Sequence, residues 1–387
     1  GIASSVPTTK LEVTGDAKIS GVTTATAFVP SQGQLSYRRI NMNGAMHVWQ
    51  RSTSASDIGG SNGYFAADRY RSSNNGSGRH TISRDADEPG GFDYSMKIDV
   101  TTAVASPSAN NYMFIQHRLE GSDVQPFAKG TSRAQKYALS FWVKSPKTGV
   151  HVVQLEDVEN SRSVQGIYTI ASANTWENHS IIFPAETSNG ISGDNAHRMQ
   201  LYFWLFAGST YNDGNVNSLG TTWASTGSIS RASGQVNVFD NTSNNFYITG
   251  IQLELGSVAT PFEHWSYADE LERCKRYYQV LVDAGGSGTQ FSFGNATCYS
   301  STSIHLVCPL SPEMRTTPTL DYTTGTDYYK AYQNGTNDSF DTWSLVGNSH
   351  PRCADLMASS GVSVTAAASA LMRTGNTASK IAFTADL

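Results

Sequence analysis

Charge is scarce in this chain. Asp, Glu, Lys and Arg make up 15% of its 387 residues, and the net charge of −5 includes no basic block. Proteins that neutralise nucleic-acid phosphates need clustered Lys and Arg, so no nucleic-acid partner is expected. Long apolar runs are missing too. None approaches the roughly 20 residues that cross a bilayer as a helix, and no secretory signal opens the sequence. Membrane insertion is therefore not expected. The chain opens on Gly1 rather than Met, as expected of a processed, trimmed or partly observed product. Cysteine is rare. Cys274, Cys298, Cys308 and Cys353 all fall in the last third, and no two have C-x-x-C spacing. That distribution argues against a secreted disulfide framework and against a structural zinc site, so reduced thiols are expected, with disulfides the alternative. Catalytic signatures are lacking as well: there is no G-x-S-x-G, H-E-x-x-H or P-loop. Gly285-Gly286-Ser287-Gly288 follows a helix instead of opening one, so it reads as a turn, not a phosphate cradle.

What the chain has in quantity is Gly, Ser, Thr and Asn between short alternating runs. That composition fits an all-β protein with many turns. Strands are predicted over 96–100, 112–119, 137–144, 150–155, 163–170, 177–183, 199–206 and 246–255, broken by turn clusters such as Ser188-Asn189-Gly190. So many strands without intervening helices point to a jelly-roll β-sandwich over residues 37–265. In its closing strand Tyr247, Thr249, Ile251, Leu253 and Leu255 are expected on one face. A single helix is legible, over 266–282. Ser266 caps it, and Leu271, Cys274, Tyr278 and Leu281 form its apolar stripe. Glu270, Glu272, Arg273, Lys275 and Arg276 are expected on its solvated face. Residues 283–387 read as a small C-terminal β-sandwich, with strands over 291–298, 303–308, 319–322, 361–370 and 380–384. Residues 328–343 are expected to be a long polar loop. Residues 1–36 alternate apolar and polar positions around Gly15-Asp16 and Gly21, in pieces too short to bury a face alone. They are expected to form an intertwined trimeric β stalk or, alternatively, a tail; either serves as the attachment end.

The run Ile251-Gln252-Leu253-Glu254-Leu255-Gly256-Ser257-Val258-Ala259-Thr260-Pro261-Phe262-Glu263, followed by Tyr267, Glu270, Leu271, Cys274, Arg276, Tyr277 and Tyr278, resembles a signature of tail-fibre and other virion proteins of tailed bacteriophages. Trp265 stands where that family usually has a basic residue. Asn43-Gly44-Ala45-Met46-His47-Val48-Trp49-Gln50-Arg51 with Ala67-Asp68-Arg69-Tyr70 resembles the opening of the same domain. Tyr137 to Ser145 resembles its middle, and Pro312 to Leu320 the domain that follows. The resemblance covers nearly the whole chain. It implies a jelly roll of the kind found in many carbohydrate-binding modules, on a virion protein folded in the host cytoplasm. It also implies a non-enzymatic, homotrimeric fibre or spike component, held to other virion proteins by its N-terminal segment, with host surface polysaccharide as its expected ligand. A capsid decoration, neck or adaptor protein is the alternative, and a polysaccharide depolymerase is a third.

A depolymerase needs two carboxylates across a cleft. Glu156, Asp157 and Glu159, and Asp85, Asp87 and Glu88, are sequence neighbours and read as solvated loops. Asp85 to Glu88, or Asp240, are the carboxylates a structural calcium would use. No other cofactor is expected. His47, His117, His151 and His179 read as satisfied residues, not ligands. Glycans are held by rings stacked on sugar faces, with amides and acids on the hydroxyls. Trp142, Phe203, Trp204 and Phe206 lie in dense strands and read as core. Tyr211, Trp223, Tyr328, Tyr329, Tyr332 and Trp343 lie among Asn, Asp, Gly and Thr and are the candidate receptor contacts, loop packing being the other reading.

Overall fold

The computed structural model describes residues 37–228, 230–286 and 288–387. The expected stalk over 1–36 lies outside the described residues. The first unit is a jelly-roll sandwich. Its strands are β1 (Ser54–Gly59), β2 (Asn62–Gly63), β3 (Tyr70–Asn74), β4 (Arg79–Asp85), β5 (Ser95–Thr102), β6 (Tyr112–Glu120), β7 (Tyr137–Lys144), β8 (Gly149–Asp157), β9 (Arg162–Ile170), β10 (Glu177–Phe183), β11 (His197–Ala207), β12 (Ala224–Ser225) and β13 (Asn245–Leu255). A six-stranded sheet runs β1-β4-β5-β13-β7-β10, and a seven-stranded sheet runs β12-β9-β8-β11-β6-β3-β2.

The core forms where alternation sends one set of side chains inward from each sheet. On β7, Leu139, Phe141 and Val143 are buried while Trp142 and Lys144 face out. Leu201, Phe203 and Leu205 of β11 meet them from the other sheet. On β13 the alternation changes phase. The register shifts between Thr249 and Gln252, and Gly250 sits at φ +63°. A bulge of this kind inserts one unpaired residue. Phe246 and Ile248 therefore point inward before it, and Ile251 and Leu253 after it. Tyr247 lies on the opposite face from Ile251, against the simple period-two expectation.

Helix α1 is shorter than its apolar spacing predicts: it spans Tyr267–Lys275. Ser266 caps it, its hydroxyl accepting from Asp269 N at 3.1 Å. Tyr278 and Leu281 leave the helix for a strand, because Tyr278–Asp283 pairs with Lys380–Thr384. Aromatic and β-branched residues fit a pleated surface better than a helix. The helix face expected in solvent is partly buried as well, Glu270 being 2% exposed.

The second unit comprises β14 (Tyr278–Asp283), β15 (Ser292–Ser300), β16 (Ser303–Pro309), β17 (Thr319–Tyr322), β18 (Tyr329–Gln333), β19 (Thr336–Phe340), β20 (Ser344–Leu345), β21 (Cys353–Ala358), β22 (Ser369–Thr374) and β23 (Lys380–Thr384). A three-stranded sheet β14-β23-β17 packs on a seven-stranded sheet β19-β18-β22-β15-β16-β21-β20. The expected loop over 328–343 is in fact largely a hairpin. Gln333 pairs with Thr336 across Asn334-Gly335, both at positive φ, as a type I′ turn requires. The strand expected over 361–370 forms instead at Ser369–Thr374. All four cysteines are free thiols, and Cys274, Cys298 and Cys308 are buried.

Candidate glycan-binding groove

The signature residues fold a loop back onto the six-stranded sheet. Gln252 and Glu254 are fully buried beyond the bulge. Glu254 accepts from Thr260 N at 2.7 Å and from Thr260 Oγ1 at 2.8 and 3.0 Å, and it is paired with Arg38 at 2.8 Å. Gln252 donates to Pro261 O at 3.3 Å and accepts from Glu263 N at 2.7 Å. These bonds hold residues 259–262 as a wall above the outer face of β7 and β10. Glu263 in turn accepts from Arg39 N at 3.1 Å.

The same signature fastens the two units together. Arg39 and Glu270 form a buried ion pair, and Arg39 lies 4.0 Å from the Trp265 ring centroid. Within the first unit, Asn41 donates to Ile251 O at 2.8 Å and accepts from Leu253 N at 2.7 Å. Arg276 holds buried Glu120 through two bonds of 2.8 Å, and Tyr277 donates to the same carboxylate at 2.5 Å. Arg69 stacks on the Tyr277 ring at 3.4 Å. Lys380 Nζ reaches back to Gln50 O at 2.8 Å and Arg51 O at 2.6 Å. Buried charges persist only when paired in this way.

Between wall and sheet lies a groove of about 480 Å³, lined by Ser140, Trp142, Asn178, Ser180, Gly250 and residues 259–262. Its floor is two cross-strand pairs, Trp142 opposite Asn178 and Ser140 opposite Ser180. Gly250 makes the geometry possible. A Cβ there would sit 2.7 Å from Phe92 Cζ and 2.9 Å from Trp142 Cδ1, so only glycine lets both rings close over the bulge. Phe92 packs edge-on against Phe262 at 5.1 Å, which stiffens the wall. Among the described residues, the Ser140 and Ser180 hydroxyls and Trp142 Nε1 have no hydrogen-bond partner, while Asn178 donates once, to Phe141 O at 3.2 Å. Half-exposed rings beside open hydroxyls and an amide can stack on a sugar face and bond its hydroxyls. Trp142 was expected in the core; its position on the outward register of β7 places it here.

The six candidate contacts do not converge. Tyr329 is fully buried, its hydroxyl donating to Thr323 O at 2.6 Å and Lys380 O at 2.9 Å. Trp343 is 4% exposed, 5.0 Å from Phe340. Both belong to the C-terminal core: the hairpin turns Tyr329 inward, and Trp343, in the loop that follows it, packs back against the same cluster. Tyr328 is half-buried beside Tyr329, and half-buried Tyr332 lies under Arg373 at 3.9 Å. Trp223 is buried, donating to Pro184 O at 2.8 Å. Tyr211 packs on Trp204 at 5.8 Å, the latter fully buried as expected, like Phe203 and Phe206.

The acid clusters are occupied by neighbours. Asp157 is buried and ion-paired with Lys129, not solvated. Glu156 accepts from Tyr202 at 2.5 Å, and Glu159 from Ser192 Oγ at 2.6 Å. Asp85 and Glu88 accept from turn amides of Asp87 and Gly90, Asp87 pairs with Lys144, and Asp240 with Lys147. No group of three or more His, Cys, Asp or Glu is placed to hold a metal among the described residues. His117 and His151 are buried and neutral, burial pushing both below the usual imidazole range, His151 to about 4.

No protein-family model matches the sequence, and no curated protein matches it. Solved structures give partial superpositions. A putative sugar-binding protein from Bacteroides thetaiotaomicron is 12% identical over 57% of this chain and all of its own, at a TM-score of 0.30. A family 11 carbohydrate-binding module of a Clostridium thermocellum cellulase is 12% identical over 50% of this chain and 90% of its own, at 0.27. The enzymatically active domain of tailspike protein 4 of bacteriophage CBA120 is 13% identical over 57% of this chain, which spans only 22% of that one, at 0.28.

Proposed function

We propose that the chain is a non-enzymatic surface component of a tailed-phage virion, a homotrimeric fibre or spike protein that holds host surface glycan in the groove of its six-stranded sheet. The observation that carries the binding role is the groove itself: an outward tryptophan and an adjustable-bond amide–hydroxyl floor, walled by a clamped loop. The resemblance of that clamp to a virion-protein signature supports the setting. Residues 1–36 are the attachment end that joins other virion proteins. Each groove supplies a weak contact, and three copies gain by avidity.

A glycan array probed with the wild type and with Trp142→Ala tests the reading. Binding that drops on loss of the indole is the expected result. Absence of any bound glycan, or binding indifferent to Trp142→Ala, would remove the receptor role and favour a decoration, neck or adaptor protein. Light scattering on the full chain is expected to give the mass of a trimer.

A further inference from the structure

The charge around the groove narrows its ligand. None of the lining residues Ser140, Trp142, Asn178, Ser180, Thr260 and Phe262 is ionisable. Three charged groups near the groove, Lys144, Glu254 and Glu177, already have partners. Lys144 is paired with Asp87 and lies 4.4 Å from the Tyr247 centroid and 5.4 Å from that of Trp176. Glu254 is buried beneath the wall and held by Arg38 and Thr260. Glu177, at the start of β10, accepts from Ala171 N at 2.9 Å and Ser172 N at 2.7 Å. What remains open in the groove is neutral: two hydroxyls, an indole N–H and an amide.

We infer that this groove selects neutral glycan and discriminates against uronic-acid, sulfated, phosphorylated and free-amino sugars. The inference rests on the glycan-binding reading and adds the ligand class to it. A carboxylate or sulfate laid between Trp142 and Phe262 loses hydration to apolar rings and meets no cation among the lining residues. An ammonium loses hydration equally and meets no carboxylate among the lining residues. A neutral pyranose loses little, because its apolar face covers the rings while its hydroxyls replace water at Ser140, Ser180 and Asn178. With no charge pairing in the contact, binding is expected to be nearly independent of salt.

The test uses the full chain and matched probes: dextran against carboxymethyl-dextran and dextran sulfate, together with an array of neutral and acidic bacterial oligosaccharides, each at 50 and 500 mM salt. Neutral glycans are expected to bind at least about tenfold better than their acidic counterparts, unchanged by salt and lost in Trp142→Ala. In Ser180→Lys, acidic counterparts are expected to gain. Acidic glycans bound best by the wild type, in a Trp142-dependent and salt-sensitive way, would overturn the neutral assignment while leaving glycan binding standing. No Trp142-dependent binding to any probe would overturn both.

Discussion

The two outer faces of the sandwich use the same kinds of residue to opposite ends. On the seven-stranded sheet, Tyr112 stacks on Phe114 at 4.9 Å, and Phe114 meets Tyr202 at 4.7 Å and Trp204 at 5.0 Å. That aromatic surface is covered by the chain itself. Leu219 and Ala232 pack onto it, and Arg231 lies 5.9 Å from the Trp204 centroid. The covering segment is stitched down, Gly220 N donating to Gln165 at 3.0 Å and Val152 N to Gln235 at 2.7 Å. On the six-stranded sheet the covering loop stands off, and a groove stays open under it. An aromatic in a sheet is thus left beside an open groove or made a floor for its own loop according to where the next segment is clamped. The clamp of Gln252 and Glu254 on Thr260 and Pro261 sets that distance.

The largest expected effect falls on the closed face. Trp204→Ala removes a fully buried ring from that cluster and is expected to lower stability by about 3–5 kcal/mol, read as a lower urea midpoint. A loss below about 1 kcal/mol would mean that the segment over 208–236 does not seal the face. Acidification comes next. Burial holds His80 and His151 at about 4, and burial followed by Arg118 and Arg69 holds His197 at about 3. These folded values lie below the unfolded one, so the fold carries no penalty above about pH 6.5 and loses stability as pH falls toward 4. The expected loss is on the order of a kcal/mol for each histidine by pH 5, seen as a falling melting temperature. Asp123, raised to about 6 by burial and then by Glu120, titrates in the opposing sense and trims the effect. No lining residue of the groove titrates in this window, so glycan affinity should hold from pH 7 to 5 while the protein stays folded. An affinity that tracks a histidine titration would place charge in the open face after all.

Much of this architecture was readable in the sequence because its strands alternate cleanly. The predicted span 177–183 coincides with β10, and 319–322 with β17. Strands β3 and β4 were missed because polar side chains, Ser72, Ser73, Asn74 and His80, occupy most of their buried positions. Asn74 is fully buried and donates to Gly78 O at 2.8 Å, so a strand residue looks like turn chemistry. The hairpin over Tyr329–Phe340 did carry a signal, Asn334-Gly335 between alternating runs, outweighed in the reading by surrounding polarity. The groove was harder to see. Its key ring sits in a run that reads as core, and only the phase of β7 decides that Trp142 faces out while Phe141 faces in. The bulge at Gly250 is foreshadowed by a glycine inside a strand, but the two rings that close over it, Phe92 and Trp142, are distant in sequence. The expected contacts erred the other way, loop composition concealing that Tyr329 and Trp343 are core.

Gly250→Ala ranks third. Its backbone is at φ +63°, and the new methyl would press on Phe92 and Trp142. A loss of about 1–3 kcal/mol is expected, with weakened glycan binding as the two rings part. Wild-type stability in this variant would show that the rings yield freely and that the bulge does not shape the groove.

The smallest expected effect, that at Ser180, separates the faces most cleanly when set beside a polar group of the closed face. Gln235 on the closed face is fully engaged: it accepts from Val152 N at 2.7 Å and donates to Val236 O at 2.8 Å. Gln235→Ala leaves a buried N–H without a partner and is expected to cost about 1–3 kcal/mol of folding stability. Ser180 on the open face is exposed, and its hydroxyl has no partner among the described residues. Ser180→Ala should therefore change the melting midpoint by no more than about 0.5 kcal/mol equivalent. Its effect should appear only when ligand is present, as a loss of about two- to tenfold in affinity for the bound glycan, the range of one hydrogen bond. Equal folding costs for the two substitutions would mean that the hydroxyl already has a structural task, and the open face would then be a second closed one.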